Sequence, residues 1–331
     1  MPEVSAPGET VRRWAAQWVQ HEPLPGASYA AALVVDDPTE PRWRVIARGL
    51  LGPLLGLTTY VVFTPVVVSA LLGLSWLASG SPGTWTEYSR SAASFQLPAG
   101  MAATQLTLAL LIPLSFALVL FVHRFDPRWL HSVQPGFRWR FGLACMLAGG
   151  IALVGVWVVS RIGQSWVFEP ERDVWWFLLV ILLTSPLQAA AEEYFFRGYL
   201  LQALHTAAPQ GSFFGVVGSA AVFALLHGTQ DIPLFVNRFA FGLLAGYLAV
   251  RTGGLEAGIA AHVVNNVVAF GYAALSGTMV ELKGVQSVSW IDSAWSLGGY
   301  VAFTLVAVWI AARMRVATAT PGVRFGARDE V

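Results

Sequence analysis

Charge is scarce in this chain of 331 residues. Asp, Glu, Lys and Arg together make up 12% of it, against 56% hydrophobic residues and a mean hydropathy of +0.60. A soluble domain carries about 25% charged residues, so an ordinary soluble fold is excluded. Cysteine is nearly absent: Cys145 stands alone in an apolar run, which rules out an internal disulfide and reads as a small buried hydrophobe. The net charge is only +1 and no basic stripe is interleaved with stacking aromatics, so nucleic acid is not an expected partner. No fixed-period repeat and no phosphate-cradling loop occur, and GVVGS at 215–219 reads as small-residue helix packing. The HExxH and GxSxG signatures are both missing, so no zinc-protease or nucleophile-elbow motif announces itself.

What the chain has is long apolar runs. Crossing the hydrocarbon core takes about 20 helical residues, and the runs read as eight spans. They are Gly49 to Ala78, Pro98 to Val122, Phe141 to Ser160, Val174 onward, Ser212 to Leu226, Leu234 to Val250, Leu255 to Leu275 and Ser293 to Ala312. The fold class is therefore all-α, a polytopic membrane protein of about eight transmembrane helices. Residues 1–45 are expected to form a mobile cytoplasmic arm, with an alternative short interfacial helix over Val11 to Val19. Segment 46–173 holds the first three spans, 174–275 a core of spans four to seven, and 276–331 the last span and a tail. The first apolar run begins only at Gly49, so no early secretory h-region is expected.

Basic residues favour the cytoplasmic side of a membrane. Alternating the spans puts fifteen arginines on the side of the termini and Arg90, Arg161, Arg172 and Lys283 on the other. A multi-pass protein of the cell membrane with both termini cytoplasmic is the expectation. Trp43, Trp76, Trp139 and Trp290 lie near span ends, where an indole is favoured. Gly242 and Gly246 form a GxxxG suited to close helix approach, Arg238 near a span end reads as a snorkelling or capping residue, and His205 near a turn reads as solvated.

Against this background a few polar residues stand out. Glu192 and Glu193 lie inside the fourth span, His227 ends the fifth, and His262 and Asn266 lie on the seventh. A carboxylate at a helix centre costs roughly 2.5–3.5 kcal/mol even on lenient insertion scales, so such groups imply chemistry. Measured from the turns TAAPQG and RTGG, Glu192 lies at about 22 Å, His227 at about 24 Å, His262 at about 12 Å and Asn266 at about 18 Å. These depths allow the four to converge, with access expected from the side of those two turns. Adjacent residues diverge by about 100° on a helix. Glu193, four residues before Arg197, is thus read as its ion-pair partner, and Glu192 as the free acid. Pro186 is expected to kink or widen the helix just before the pair.

A carboxylate, two imidazoles and an amide suit hydrolysis by water. Glu192 would take the proton assisted by His227, while His262 and Asn266 would stabilise the oxyanion. The same Glu192, His227 and His262 could instead hold a divalent metal such as zinc. A peptide or a membrane protein would be the substrate, with the lipid bilayer as surroundings.

At these residues the chain resembles the CPBP family, the type II CAAX prenyl proteases and bacteriocin-processing enzymes, also called the ABI domain. The family pattern EExxxR, FxxxH and HxxxN is matched by Glu192-Glu193 with Arg197, Phe223 with His227, and His262 with Asn266. The likeness runs over roughly residues 174–275. It implies an eight-helix intramembrane endopeptidase, named a metalloprotease although a glutamate-dependent mechanism is also argued for it, and it does not carry prenylated substrates over to this chain. The competing readings are a non-proteolytic scaffold or immunity protein of the same fold, and a proton-coupled transporter.

Overall fold

The structure, a computed structural model, describes residues 17–35, 37–208 and 212–322. The interfacial helix considered at Val11 to Val19 lies mostly outside them, as do Pro209 to Gly211 of the TAAPQG turn. The described residues are helical apart from turns, loops and three isolated β-bridges. In chain order the α-helices are α1 Arg42–Ala78, α2 Trp85–Ala93, α3 Pro98–His123, α4 Trp139–Ser160, α5 Val174–Ala207, α6 Phe213–Leu225, α7 Ile232–Thr252, α8 Glu256–Ser276, α9 Met279–Lys283 and α10 Trp290–Arg313.

Seven of these, α1, α3, α4, α5, α7, α8 and α10, are long and apolar enough to cross a membrane. The chain is a multi-pass membrane protein. The run expected as the fifth span forms the 13-residue α6, which is too short, so the described spans number seven rather than eight. The reason is local. Gly228, at φ +77°, lies in the turn that follows Leu225, and Asp231 caps a new helix by accepting a hydrogen bond from the Leu234 N–H at 2.9 Å.

Helix α5 runs unbroken through Pro186 and then widens into π-helix over Glu193–Leu200. The widening expected at the proline thus begins at the second glutamate, seven residues later. Helices α6 and α7 lie close because Gly242 and Gly246 lack side chains: a Cβ on Gly242 would come within 2.8 Å of the Ala220 Cβ, and one on Gly246 within 3.0 Å of Val216. Gly215 faces α5 in the same way, with a Cβ there only 2.5 Å from the Leu201 carbonyl.

The bundle has two distinct ends. At the end where the described chain starts and stops, Val133 donates to the Gly253 carbonyl at 2.9 Å and residues 28 and 319 form a bridge. At the opposite end Glu171 donates from its N–H to the Ala274 carbonyl at 3.0 Å, and Asp231 to that of Gln286 at 2.8 Å. Part of the expected mobile arm is built into the first end: Tyr29 and Leu33 are buried in the main core, and the Tyr29 hydroxyl donates to the Leu130 carbonyl at 2.6 Å. His205, expected to be solvated, is buried as well. Cys145 is buried, as its apolar setting suggests.

Candidate active site

The site is assembled from α5, α8 and the end of α6. Glu192 and Gln188 stand one turn apart on α5, and the Gln188 amide donates to Glu192 Oε1 at 2.7 Å. From α8 the Asn266 amide donates to Gln188 Oε1 at 2.7 Å, so Gln188 bridges Asn266 to the acid. His262, one turn before Asn266, brings its Nε2 to 3.4 Å from Glu192 Oε2. All four side chains lie in the apolar interior of the bundle.

Glu193 does more than neutralise an arginine. Its Oε1 accepts from Arg197 Nη1 at 3.0 Å and also meets His262 Nδ1 at 2.9 Å. A carboxylate can only accept, so Nδ1 carries the hydrogen and the ring is fixed with Nε2 toward Glu192. Arg197, fully buried, lies 4.1 Å from the centroid of the Phe223 ring and 5.3 Å from that of Phe241. The aromatic faces supply part of the electrostatic compensation that hydrogen bonds do not. Three polar atoms of the pair, Glu193 Oε2 and Arg197 Nε and Nη2, have no hydrogen-bond partner among the described residues.

His227 follows the last turn of α6. Its Nδ1 donates to the Phe223 carbonyl at 2.7 Å, which leaves Nε2 as the free ring nitrogen. Glu192 and His227 line one cavity of about 390 Å³, together with Gln188, Phe223, Arg238 and Lys283. Burial lowers the pKa of Lys283, which lies between two spans.

The structure therefore gathers Glu192, Glu193, Arg197, His262 and Asn266 into one hydrogen-bonded cluster and places His227 on the cavity that Glu192 faces. His262 and Asn266 stand behind the cavity wall, reaching it through Glu192 and Gln188. Gln188 escaped the sequence reading, although its place four residues before Glu192 was a usable signal, and so did the Glu193–His262 contact. Tyr300 is a further addition: its hydroxyl donates to Asn265 Oδ1 at 2.9 Å, and Asn265 donates to Asn266 Oδ1 at 3.1 Å, fixing the amide from behind.

The three residues expected as metal ligands are not drawn together in this structure. Among the described residues no three His, Cys, Asp or Glu side chains are grouped to hold an ion. Of the expected set Glu192, His227 and His262, only Glu192 and His262 adjoin, at 3.4 Å, while His227 stands apart, and Nε2 is the ring nitrogen left open on each histidine.

This cluster falls inside the part of the chain that resembles known proteins. Residues 174–268 match the family model of the type II CAAX prenyl endopeptidases, Rce1-like. That is a family of proteases, in line with the enzyme class expected from the motifs. The Rce1-like segment takes in Gln188, the Glu pair, Arg197, both histidines and Asn266. The chain is also 31% identical over 106 residues to "Uncharacterized protein YyaK" of Bacillus subtilis (strain 168), an alignment covering 30% of this chain and 35% of that one. The match thus spans about a third of the relative's length. No solved structure matches the chain.

Proposed function

We propose that the chain is an intramembrane endopeptidase in which Glu192 activates a water molecule held in the cavity it shares with His227. The observation that carries this reading is the Glu193–His262–Glu192 row, a buried carboxylate orienting an imidazole whose far nitrogen faces the acid at 3.4 Å. A bare Nε2 lone pair opposite a carboxylate is repulsive, so one proton resides between the two.

Glu192 takes the proton of the attacking water while His227 Nε2 orients it. The hydroxide adds to the peptide carbonyl, and Glu192 hands the captured proton on to the leaving amine. Glu193 holds the His262 ring in place through Nδ1–H and offsets the charge shared between His262 and Glu192, a role comparable to that of an aspartate in a hydrolase triad. Of the groups that line the cavity, the second amide N–H of Gln188 is the donor beside Glu192 available to the tetrahedral oxygen, with His262 and Asn266 holding Glu192 and Gln188 from behind. No step is routed through a metal, and exhaustive chelation is expected to leave activity unchanged.

The decisive test uses purified protein and a quenched fluorescent peptide library. Cleavage by the natural chain and its loss in Glu192→Gln supports the reading; cleavage that survives the change overturns it. A scaffold of the same fold would cleave nothing in either form.

A further inference from the structure

The cavity beside Glu192 has a direction. Every lining residue outside the long helices and α6, namely Phe95, Leu226, His227, Leu282, Lys283 and Val285, belongs to a connection at the end opposite that where the described chain starts and stops. None comes from the turns around Ala207 and Gly253 or from the 124–138 connection. The wall is fixed there: Asp231, the cap of α7, receives the Val288 N–H at 3.2 Å and donates its own N–H to Gln286, tying the turn after His227 to the segment after α9.

Charge separates the same two ends. Ten arginines, from Arg42 to Arg315, lie at the end of the described termini, while the cavity end has Arg90, Arg161, Arg172, Arg238 and Lys283. Retained basic residues mark the cytoplasmic side, so the cavity faces away from the cytoplasm. Two cations of that sparser set sit on its wall. Arg238 donates to the Gln230 side-chain oxygen at 2.7 Å and the Lys283 ammonium lies 4.8 Å from the centroid of the Phe95 ring. Among the described residues neither has a carboxylate within ion-pair distance. A cavity with an acid at its inner wall and two unmatched cations toward its mouth complements a ligand that carries a negative group on its outer part.

Resting on the protease reading for what happens at Glu192, we infer that the substrate is a peptide segment presented on the non-cytoplasmic face, with an acidic group held by Arg238 and Lys283. This reverses the entry route expected from the depths of the polar residues. It also separates the substrate from a cytoplasmic chain end.

Two measurements test this, and neither needs turnover. In a Cys145→Ala background, Lys283→Cys and Val285→Cys are expected to react with a membrane-impermeant maleimide in intact cells at least tenfold faster than Arg251→Cys at the opposite end. Labelling of Arg251→Cys from outside with the other two protected overturns the inference. For the acidic group, Glu192→Gln protein in detergent is titrated with a fluorescent octapeptide mixture holding one fixed Asp and with the same mixture holding Asn. The Asp mixture is expected to bind about tenfold more tightly, and Arg238→Gln with Lys283→Gln is expected to erase that preference while leaving Asn binding unchanged. Equal binding of the two mixtures overturns the anion site. Loss of cleavage with both results intact would count against the protease reading alone.

Discussion

Two arginine–glutamate pairs anchor this molecule from opposite positions. Arg138 and Glu256, at the end where the described chain starts and stops, leave no nitrogen or oxygen of their side chains without a partner. Arg138 donates from Nε and Nη2 to the two carboxylate oxygens at 2.8 and 2.6 Å, adds its backbone N–H at 2.9 Å, and sends Nη1 to the Thr252 and Ala317 carbonyls. The pair ties three connections together, and every side-chain nitrogen and oxygen in it has at least one partner. Arg197 and Glu193, inside α5, share one bond and leave three polar atoms bare, while the same carboxylate oxygen also holds His262. A saturated pair is a fastener. An unsaturated one in a low-dielectric interior acts strongly on its neighbours, which suits the proton-moving site proposed above.

The largest expected effect is at the proton-moving site itself. Glu192→Gln keeps size and hydrogen bonding but cannot take a proton, so peptide hydrolysis should fall by about 10²–10⁴-fold. Initial rates measured beside tryptophan-fluorescence melting check this; a melting point that drops with the rate would recast Glu192 as structural.

Next come the two pairs. Removing one partner of a buried pair costs about 3–5 kcal/mol, and both Arg138→Ala and Arg197→Ala should show it in denaturant unfolding. The comparison sharpens in the activity that remains per folded molecule, expected near normal for Arg138→Ala and strongly reduced for Arg197→Ala. Equal loss in both would erase the distinction between fastener and proton-moving site. Within that site, Glu193→Ala with Arg197→Ala should destabilise by less than the sum of the single changes, whereas an additive result would show that the two do not act as a pair.

A smaller effect is expected at the amides. Asn266→Ala leaves Gln188 Oε1 without its donor, at a cost of about 1–3 kcal/mol in the interior, and should lower kcat about tenfold with little change in KM. The smallest concerns packing alone. Gly242→Ala brings a methyl group within 2.8 Å of the Ala220 Cβ, and overpacking of this kind costs about 1–3 kcal/mol. Its measure is melting temperature, with rates per folded molecule preserved.

The contrast between the pairs also explains what could be read in advance. Helix identity was legible because apolar runs of 20 residues have few other uses, and Glu193–Arg197 was legible because both partners lie four residues apart on one helix. The Arg138–Glu256 fastener was not, since 118 residues separate its members. Gln188 was hidden by being neutral among alanines, and the Glu193–His262 contact by joining two spans. The direction proposed for the cavity rests on a different kind of information. Depth along a helix says how far a side chain lies from each end, but only the packing of the connections decides which end is open.

The 13 residues of α6 extend about 20 Å, roughly 10 Å short of a typical hydrocarbon core. Leu226 and His227 follow, then Gly228 and Thr229, which are exposed, and the backbone of such a turn cannot sit unhydrated among acyl chains. Any lipid in contact with this turn would have to thin or dip to meet it. Acyl-chain length thereby becomes a control on the protein: thin bilayers hydrate the His227 turn at little elastic cost, while thick ones must deform by a fraction of a kcal/mol per Å of mismatch. Membrane thickness would act on this site as an effector without a binding pocket.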